Sequence, residues 1–347
     1  MRVVVTGATG NVGTALVRAL GRDDAVEEIV GVARRRPAWN APKTTWAPAD
    51  VARDDLEAVL RGADAVVHLA WLIQPSRDER VTRAVNVEGS ARVFDAAARA
   101  GVGAIVHASS VGTYAPGPKD RAVDESWPAT GVPSSFYSRH KAEVERRLDA
   151  FEQAHPEIRV ARLRPGLIFQ REAAAGIRRL FAGPLLPGAL VPHVPLVPRH
   201  PRLRFQAVHA DDVAEAYRLA VRRDARGAFN VAADPVLDGD ELARALGARA
   251  VDVPAALLRV GADLTWRLRL QPTPPGWVDI ALAVPIMDTT RAREQLGWAP
   301  RRSAVDAFLD LVGGLADGAG GPTPPLHPRT GGVARAREVL TGVGGRS

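Results

Sequence analysis

A strand-length apolar run that ends at once in a glycine loop opens this chain, and few folds can follow such a start. Arg2–Thr6 carries three consecutive valines. Thr6-Gly7-Ala8-Thr9-Gly10-Asn11-Val12-Gly13 comes next, and an amphipathic helical pattern runs on from Asn11 to Leu20. Glycines three apart between a strand and a helix answer a definite physical need. Gly7 permits a tight turn, Gly10 lets backbone approach a pyrophosphate, and Gly13 lets the helix pack on the strand. The helix start, with Asn11 and Val12, then offers oriented N–H groups to an anion. The loop therefore predicts a dinucleotide-binding β-α-β unit.

The rest of the first half keeps the alternation. Glu27–Val32, Thr44–Ala47, Ala65–Leu69, Ala104–Ala108 and Ile158–Leu163 read as strands; Arg77–Ala100 and Ser135–Ala154 read as helices. This predicts an α/β fold of the Rossmann type, a doubly wound parallel sheet with a smaller, mostly C-terminal substrate-binding cap. Residues 1–165 form the nucleotide-binding domain, completed by about 205–235 and 286–315. Residues 166–205 and 236–285 form the cap, and the Gly/Pro-rich stretch 317–347 is expected to be a flexible tail, with a short helix possible at Ala334–Leu340.

Composition removes several classes. There is no cysteine, so disulfides, thiol nucleophiles and Cys-ligated zinc are excluded, and no histidine–carboxylate group has metal-ligand spacing. The formal net charge is +7, yet the basic residues are scattered among 39 acidic ones, which argues against nucleic acid. The most apolar region, Phe181 to Val197, is broken by four prolines, so no membrane span is expected and a cytoplasmic setting is the simplest reading.

Cofactor selectivity is read where the second strand ends. A carboxylate there would grip a ribose 2′-hydroxyl; this chain instead has Ala33 followed by Arg34, Arg35 and Arg36. A guanidinium cluster suits a 2′-phosphate, so NADP(H) is favoured and NAD(H) stays possible. Asp50-Val51, after the third strand, stands where a carboxylate could meet the adenine amino group.

Ser109-Ser110 closes the fifth strand, and Tyr137 and Lys141 stand four apart at the start of a long helix, on one face. Ligands of open parallel sheets bind beyond the carboxyl ends of the strands, so Ser110, Tyr137 and Lys141 can converge over a nicotinamide. A cation about 4 Å from a phenol, at an effective dielectric of 20, contributes roughly 4 kcal/mol, about three pKa units. That would bring Tyr137 into range as a general acid/base, with Ser110 on the substrate oxygen. Of the 46 basic residues only Lys43, Lys119 and Lys141 are lysines, so a lysine at this place suggests a task that arginine cannot do.

Taken together these segments resemble the extended short-chain dehydrogenase/reductases, the NAD(P)-dependent epimerase/dehydratase family. The resemblance runs from residue 1 to about 315. It rests on the loop at 6–13, His68-Leu69-Ala70, Asn86-Val87-Glu88-Gly89-Ser90, Ser109-Ser110, Tyr137-xxx-Lys141, Arg164-Pro165-Gly166 and Val208-His209-Ala210-Asp211-Asp212. Phe229-Asn230-Val231, Asp288-Thr289-Thr290-Arg291 and Leu296-Gly297-Trp298 fit as well. It implies that Leu69, Ala70 and Asn86 flank the cofactor, that Pro165 and Gly166 lie beside the nicotinamide, and that Lys141 also holds its ribose. It also implies that Ser110, Tyr137 and Lys141 are catalytic, and it suggests a homodimer through the two long helices.

The chain departs from the family's nucleotide-sugar members at one telling place. They usually carry an arginine four residues before the histidine matching His209, on the diphosphate; here that residue is Phe205, with Arg204 beside it. Trp71, Leu72 and Ile73 follow the fourth strand near the expected substrate mouth. The expected reaction is therefore hydride transfer between NADP(H) and a less polar carbonyl or secondary alcohol. A nucleotide-sugar 4-epimerase or dehydratase with tightly held NAD is the alternative, and a non-catalytic NADP-sensing protein is a second one. His68, His209 and Asp212 are expected to be structural, and His140 to face solvent.

Overall fold

The computed structural model describes residues 1–183, 187–330 and 337–344. Its centre is a seven-stranded sheet of β1 (Arg2–Thr6), β2 (Glu28–Ala33), β3 (Thr44–Pro48), β4 (Ala65–His68), β5 (Ala104–Ala108), β6 (Arg159–Pro165) and β7 (Gly227–Val231). The order across the sheet is β7-β6-β5-β4-β1-β2-β3, and every pairing is parallel. Val3 lies between Ile29 and Ala65, and Val67 opposes Val106, so the central strands are apolar on both faces. A strand covered on both sides needs such a continuous apolar run.

Four helices supply the cover. α1 (Asn11–Gly21) and α4 (Ala210–Arg222) close one face, joined there by Leu296 and Trp298. α2 (Gly89–Arg99) and α3 (Phe136–Ala154) close the other through Val93, Phe94, Val144 and Leu148. The chain order reverses between β1 and β4, which sets the crevice for a ligand above the carboxyl ends of those strands.

The expected helix 77–100 is not uniform. Glu79–Arg83 is α-helical, Ala84–Glu88 is a π turn, and α2 begins at Gly89. The wide turn falls at Asn86, whose side chain holds the backbone of Leu72 by Nδ2–H to the carbonyl (2.8 Å) and Oδ1 from the N–H (2.7 Å). Single π turns of this kind mark functional sites.

Smaller sheets and helices lie outside the central sheet. Phe205–His209 lies between Ala233–Leu237 and Leu167–Phe169, and Leu196–Arg199 pairs with Arg249–Asp252. Helices Ala255–Arg267 and Gly276–Ala283 complete this set. From Asp317 the described residues fold back on the body. Thr323 donates its hydroxyl to the Thr9 carbonyl (2.7 Å), and Glu338 pairs with Arg179 at 2.8 Å. Of the expected helix at 334–340, residues 337–340 fall in the helix Arg337–Thr341; residues 334–336 lie outside the described residues. No helix among the described residues is long and apolar enough to cross a membrane.

Candidate active site

The glycine loop has the close contacts its sequence demands. Gly7 has φ +70°, and a Cβ on it would stand 2.8 Å from the Ala70 nitrogen; a Cβ on Gly13 would stand 2.3 Å from the Gly7 carbonyl. Only glycine fits either position. The backbone there is shaped as a cradle, and Gly10 opens α1 with no side chain capping the helix. These residues fit a pyrophosphate on the helix start. Asn11 is tied elsewhere: its Nδ2 donates to the Ile168 carbonyl (3.1 Å) and its Oδ1 accepts from Gln170 (2.7 Å). Its side chain thus fixes the loop, which leaves the backbone of Asn11 and Val12 for a ligand.

Where the second and third strands end, Arg34, Arg35, Pro48, Ala49, Asp50, Arg53 and Asp54 line a cleft of about 500 Å³. Arg34, Arg35 and Arg36 are exposed, and none has an acidic partner among the described residues. Asp50 pairs with Arg53 (3.2 Å), and Val51 is buried beneath Gly89.

Of the three residues expected to react, Ser110 and Tyr137 lie together. Ser110 caps a short 3₁₀ turn, its Oγ accepting from the Gly112 N–H (3.0 Å) and sharing a hydrogen bond with the Tyr137 hydroxyl. Tyr137 is held in an aromatic box. Trp277 lies 4.8 Å from its ring centroid, Trp71 sits edge-on at 5.9 Å, and Phe181 meets Trp277 at 4.9 Å. Burial pushes the phenol up to about 12, against the Ser110 hydrogen bond, which lowers it.

Lys141 differs from the expectation. Its Nζ donates to the Ala108 carbonyl (2.6 Å) and lies 3.4 Å from the Trp71 ring centroid but 5.8 Å from that of Tyr137. Burial pulls the amine well below the usual lysine range, while Glu145 one turn along works the other way. So the ammonium is not paired with the phenol: the fifth strand's last carbonyl, buried and in reach, takes it instead.

Behind this pair lies a network that the sequence did not disclose. Burial would raise Glu145, but Arg164, Arg162 and the Ser109 hydroxyl together hold it below the usual carboxylate range. Arg164 continues to the Tyr114 hydroxyl (3.0 Å), and Tyr114 donates to Asn230 (2.6 Å). Ser109 therefore belongs to the scaffold, since its hydroxyl is spent on Glu145. Leu69 and Ala70 hang from Thr6, the Leu69 N–H on its carbonyl (3.1 Å) and the Ala70 N–H on its hydroxyl (3.4 Å). Pro165 is buried, and a Cβ on Gly166 would meet the Gln206 carbonyl at 2.4 Å, so this turn admits no side chain.

The histidines sort as structural groups with one correction. His68 bridges the hydroxyls of Thr6 (2.7 Å) and Ser90 (2.9 Å), and His209 caps α4. Asp212 accepts from the N–H groups of Arg301 and Arg302 (3.0 and 3.1 Å). His140, expected to face solvent, is instead 1% exposed, with Nε2 3.2 Å from Glu79 and its ring against Phe136. One face of α3 carries both His140 and Val144 inward, so the histidine shares the core side of the helix. Phe205 packs with Phe169 and Phe308 over Ala207, and Arg204 turns to the Lys119 carbonyl (3.0 Å).

Residues 3–232 match the NAD dependent epimerase/dehydratase family. The chain belongs to that family. Among its relatives is a UDP-glucose 4-epimerase of Mycolicibacterium smegmatis, 28% identical over 90% of this chain and 97% of its own length. An uncharacterized protein of Mycobacterium bovis is 29% identical over 90% of this chain, which spans only 30% of that protein's length. A UDP-glucose 4-epimerase of Thermus thermophilus, solved in complex with NAD, superimposes with a TM-score of 0.67 at 21% identity, covering 91% of this chain and 99% of the other. That likeness establishes the fold. The family is described as NAD dependent.

Proposed function

We propose that the protein interconverts a secondary alcohol and its ketone with a nicotinamide dinucleotide, NADP(H) by preference, and that the substrate is of low polarity. One observation carries the reading: Tyr137, bonded to Ser110, is flanked by Trp71 and Trp277, with Phe181 packed on Trp277 behind. When bound, the dinucleotide supplies hydride exchange at the carbinol carbon. Ser110 holds the substrate oxygen, and Tyr137 takes its proton on oxidation and returns it on reduction. The aromatic wall excludes water and orders an apolar ring or chain. Gly7, Gly10, Asn11, Val12 and Gly13 cradle the pyrophosphate by their backbone. Arg34 and Arg35 meet a 2′-phosphate, with Asp50 and Val51 at the adenine. Leu69, Ala70, Asn86, Pro165 and Gly166 line the remainder.

A nucleotide-sugar 4-epimerase or dehydratase with tightly held NAD is the second reading, and the comparisons favour it. The Mycolicibacterium relative bears that name, and the Thermus neighbour was solved with NAD. Against it stands the apolar packing of Phe205, where a diphosphate contact is expected. A sensor without turnover is disfavoured by the intact Ser110, Tyr137 and Lys141. A homodimer through the helices 79–99 and 136–154, in the cytoplasm, completes the proposal.

Titration of the purified protein with NADPH and NADH tests the cofactor half. Markedly tighter NADPH binding supports the dissociable-cofactor oxidoreductase; NAD retained through purification, or tighter NADH binding, moves the assignment to the epimerase. Nucleotide-sugar co-purifying with the protein would do the same.

A further inference from the structure

Trp71 stands between two anchored residues in the loop that leaves β4. On one side the Ala70 N–H is bonded to Thr6 Oγ1 (3.4 Å); on the other, both polar groups of the Leu72 backbone are bonded to Asn86 (2.7 and 2.8 Å). The indole N–H is buried without a partner. The ring is therefore held by its face against Lys141 Nζ (3.4 Å) and its edge-on contact with Tyr137 (5.9 Å, 75°), not by a hydrogen bond of its own.

Lys141 needs such a neighbour. A buried amine loses its proton unless something in contact favours the charge. The groups facing it are Tyr137 and Glu145 on its own helix, His107 on β5, His68 on β4, the Ala108 carbonyl and the Trp71 face. Burial keeps both histidines neutral, with His68 down to about 3. The Ala108 carbonyl accepts from a neutral amine as well as from an ammonium. Glu145 already shares its charge with Arg164 and Arg162. An aromatic face, by contrast, attracts only the cation.

We infer that Trp71 is a positioning residue for the reaction: pinned by Thr6 and Asn86, its indole face holds Lys141 as an ammonium over the Ala108 carbonyl, one helical turn from Tyr137. The inference rests on the assignment of Lys141 to the reaction. Asn86, on this account, reaches the site through Trp71. Its two bonds to Leu72 set the height of the ring over the amine.

With three lysines in the chain, ¹³C-lysine NMR resolves the Lys141 titration directly, and Lys141→Met identifies the signal. Trp71→Leu keeps the site apolar but removes the π face, so the Lys141 midpoint falls by about one pH unit, and Trp71→Phe shifts it less. In the same order, the pH limb of turnover moves to higher pH, because a neutral amine cannot help the phenol ionise. An unmoved Lys141 midpoint in Trp71→Leu overturns the inference, as does an equal effect of Phe and Leu. A midpoint that moves while Lys141→Met retains full turnover shows that Trp71 holds the charge of Lys141, and it overturns both the catalytic assignment of Lys141 and the positioning role of Trp71 in the reaction.

Discussion

Gly112 lies flat against Tyr137: a Cβ on it would stand 2.9 Å from Cε1 of the ring and 3.4 Å from the Ser110 hydroxyl. Gly112→Ala pushes the phenol out of line with Ser110, and turnover falls by at least about tenfold, while overpacking costs roughly 1–3 kcal/mol of stability. Steady-state kinetics beside urea unfolding separate the two. Unchanged kcat would show that the ring's seat is not critical.

Glu145 is 2% exposed and paired with Arg164, which is 5% exposed. Removing one partner leaves a buried charge unmatched. Arg164→Leu should therefore cost about 3–5 kcal/mol in urea unfolding. A loss within about 0.5 kcal/mol, the range of surface changes, would mean that the pair does not hold the base of the site.

The two stacked histidines predict acid lability. Burial lowers His68 to about 3 and His107 well below its usual value, and both are neutral in the folded chain. A folded value below the unfolded one means stability that is complete above about pH 6.5 and is lost as pH falls through the folded value. Thermal melts should drop steadily below about pH 6.5, and His107→Phe, which cannot charge, should flatten that slope. A melting temperature that ignores pH from 6.5 down to 4 would contradict it.

The arginine cluster predicts cofactor choice. Each guanidinium–phosphate hydrogen bond is worth about 1.5–3 kcal/mol, so Arg34→Ala with Arg35→Ala should weaken NADPH by about a hundredfold or more and leave NADH nearly unchanged. Equal loss for both dinucleotides would assign the arginines to general steering of anions.

Much of this site could be read from the chain. The glycine loop, the parallel sheet implied by β-α-β alternation, and the shared face of Tyr137 and Lys141 are local patterns, set by spacings of three or four residues or by strand length. What was hidden depends on pairs far apart in the chain. Trp277 reaches Tyr137 from the helix Gly276–Ala283 and Arg164 reaches Glu145 from another element, and no local period announces either. His140 shows the limit within one helix: a polar residue beside Lys141 reads as surface until α3 is seen to be covered on that side. The lysine's choice of the Ala108 carbonyl over the phenol is likewise a matter of which buried acceptor is closest. The π turn at Ala84–Glu88 was hidden because its cause, the bonds from Asn86 to Leu72, lies in another loop.

The central claim is that Tyr137 moves the proton of a secondary alcohol beside a bound dinucleotide. Its most direct measurement is the absorbance of reduced nicotinamide when wild type and Tyr137→Phe, each loaded with NADP⁺, are offered a panel of apolar secondary alcohols and of nucleotide sugars. The account predicts reduction by an apolar alcohol in the wild type and its loss by about two to four orders of magnitude in Tyr137→Phe, with dinucleotide binding retained. Reduction that proceeds equally in both proteins, or none with any member of the panel, would contradict it.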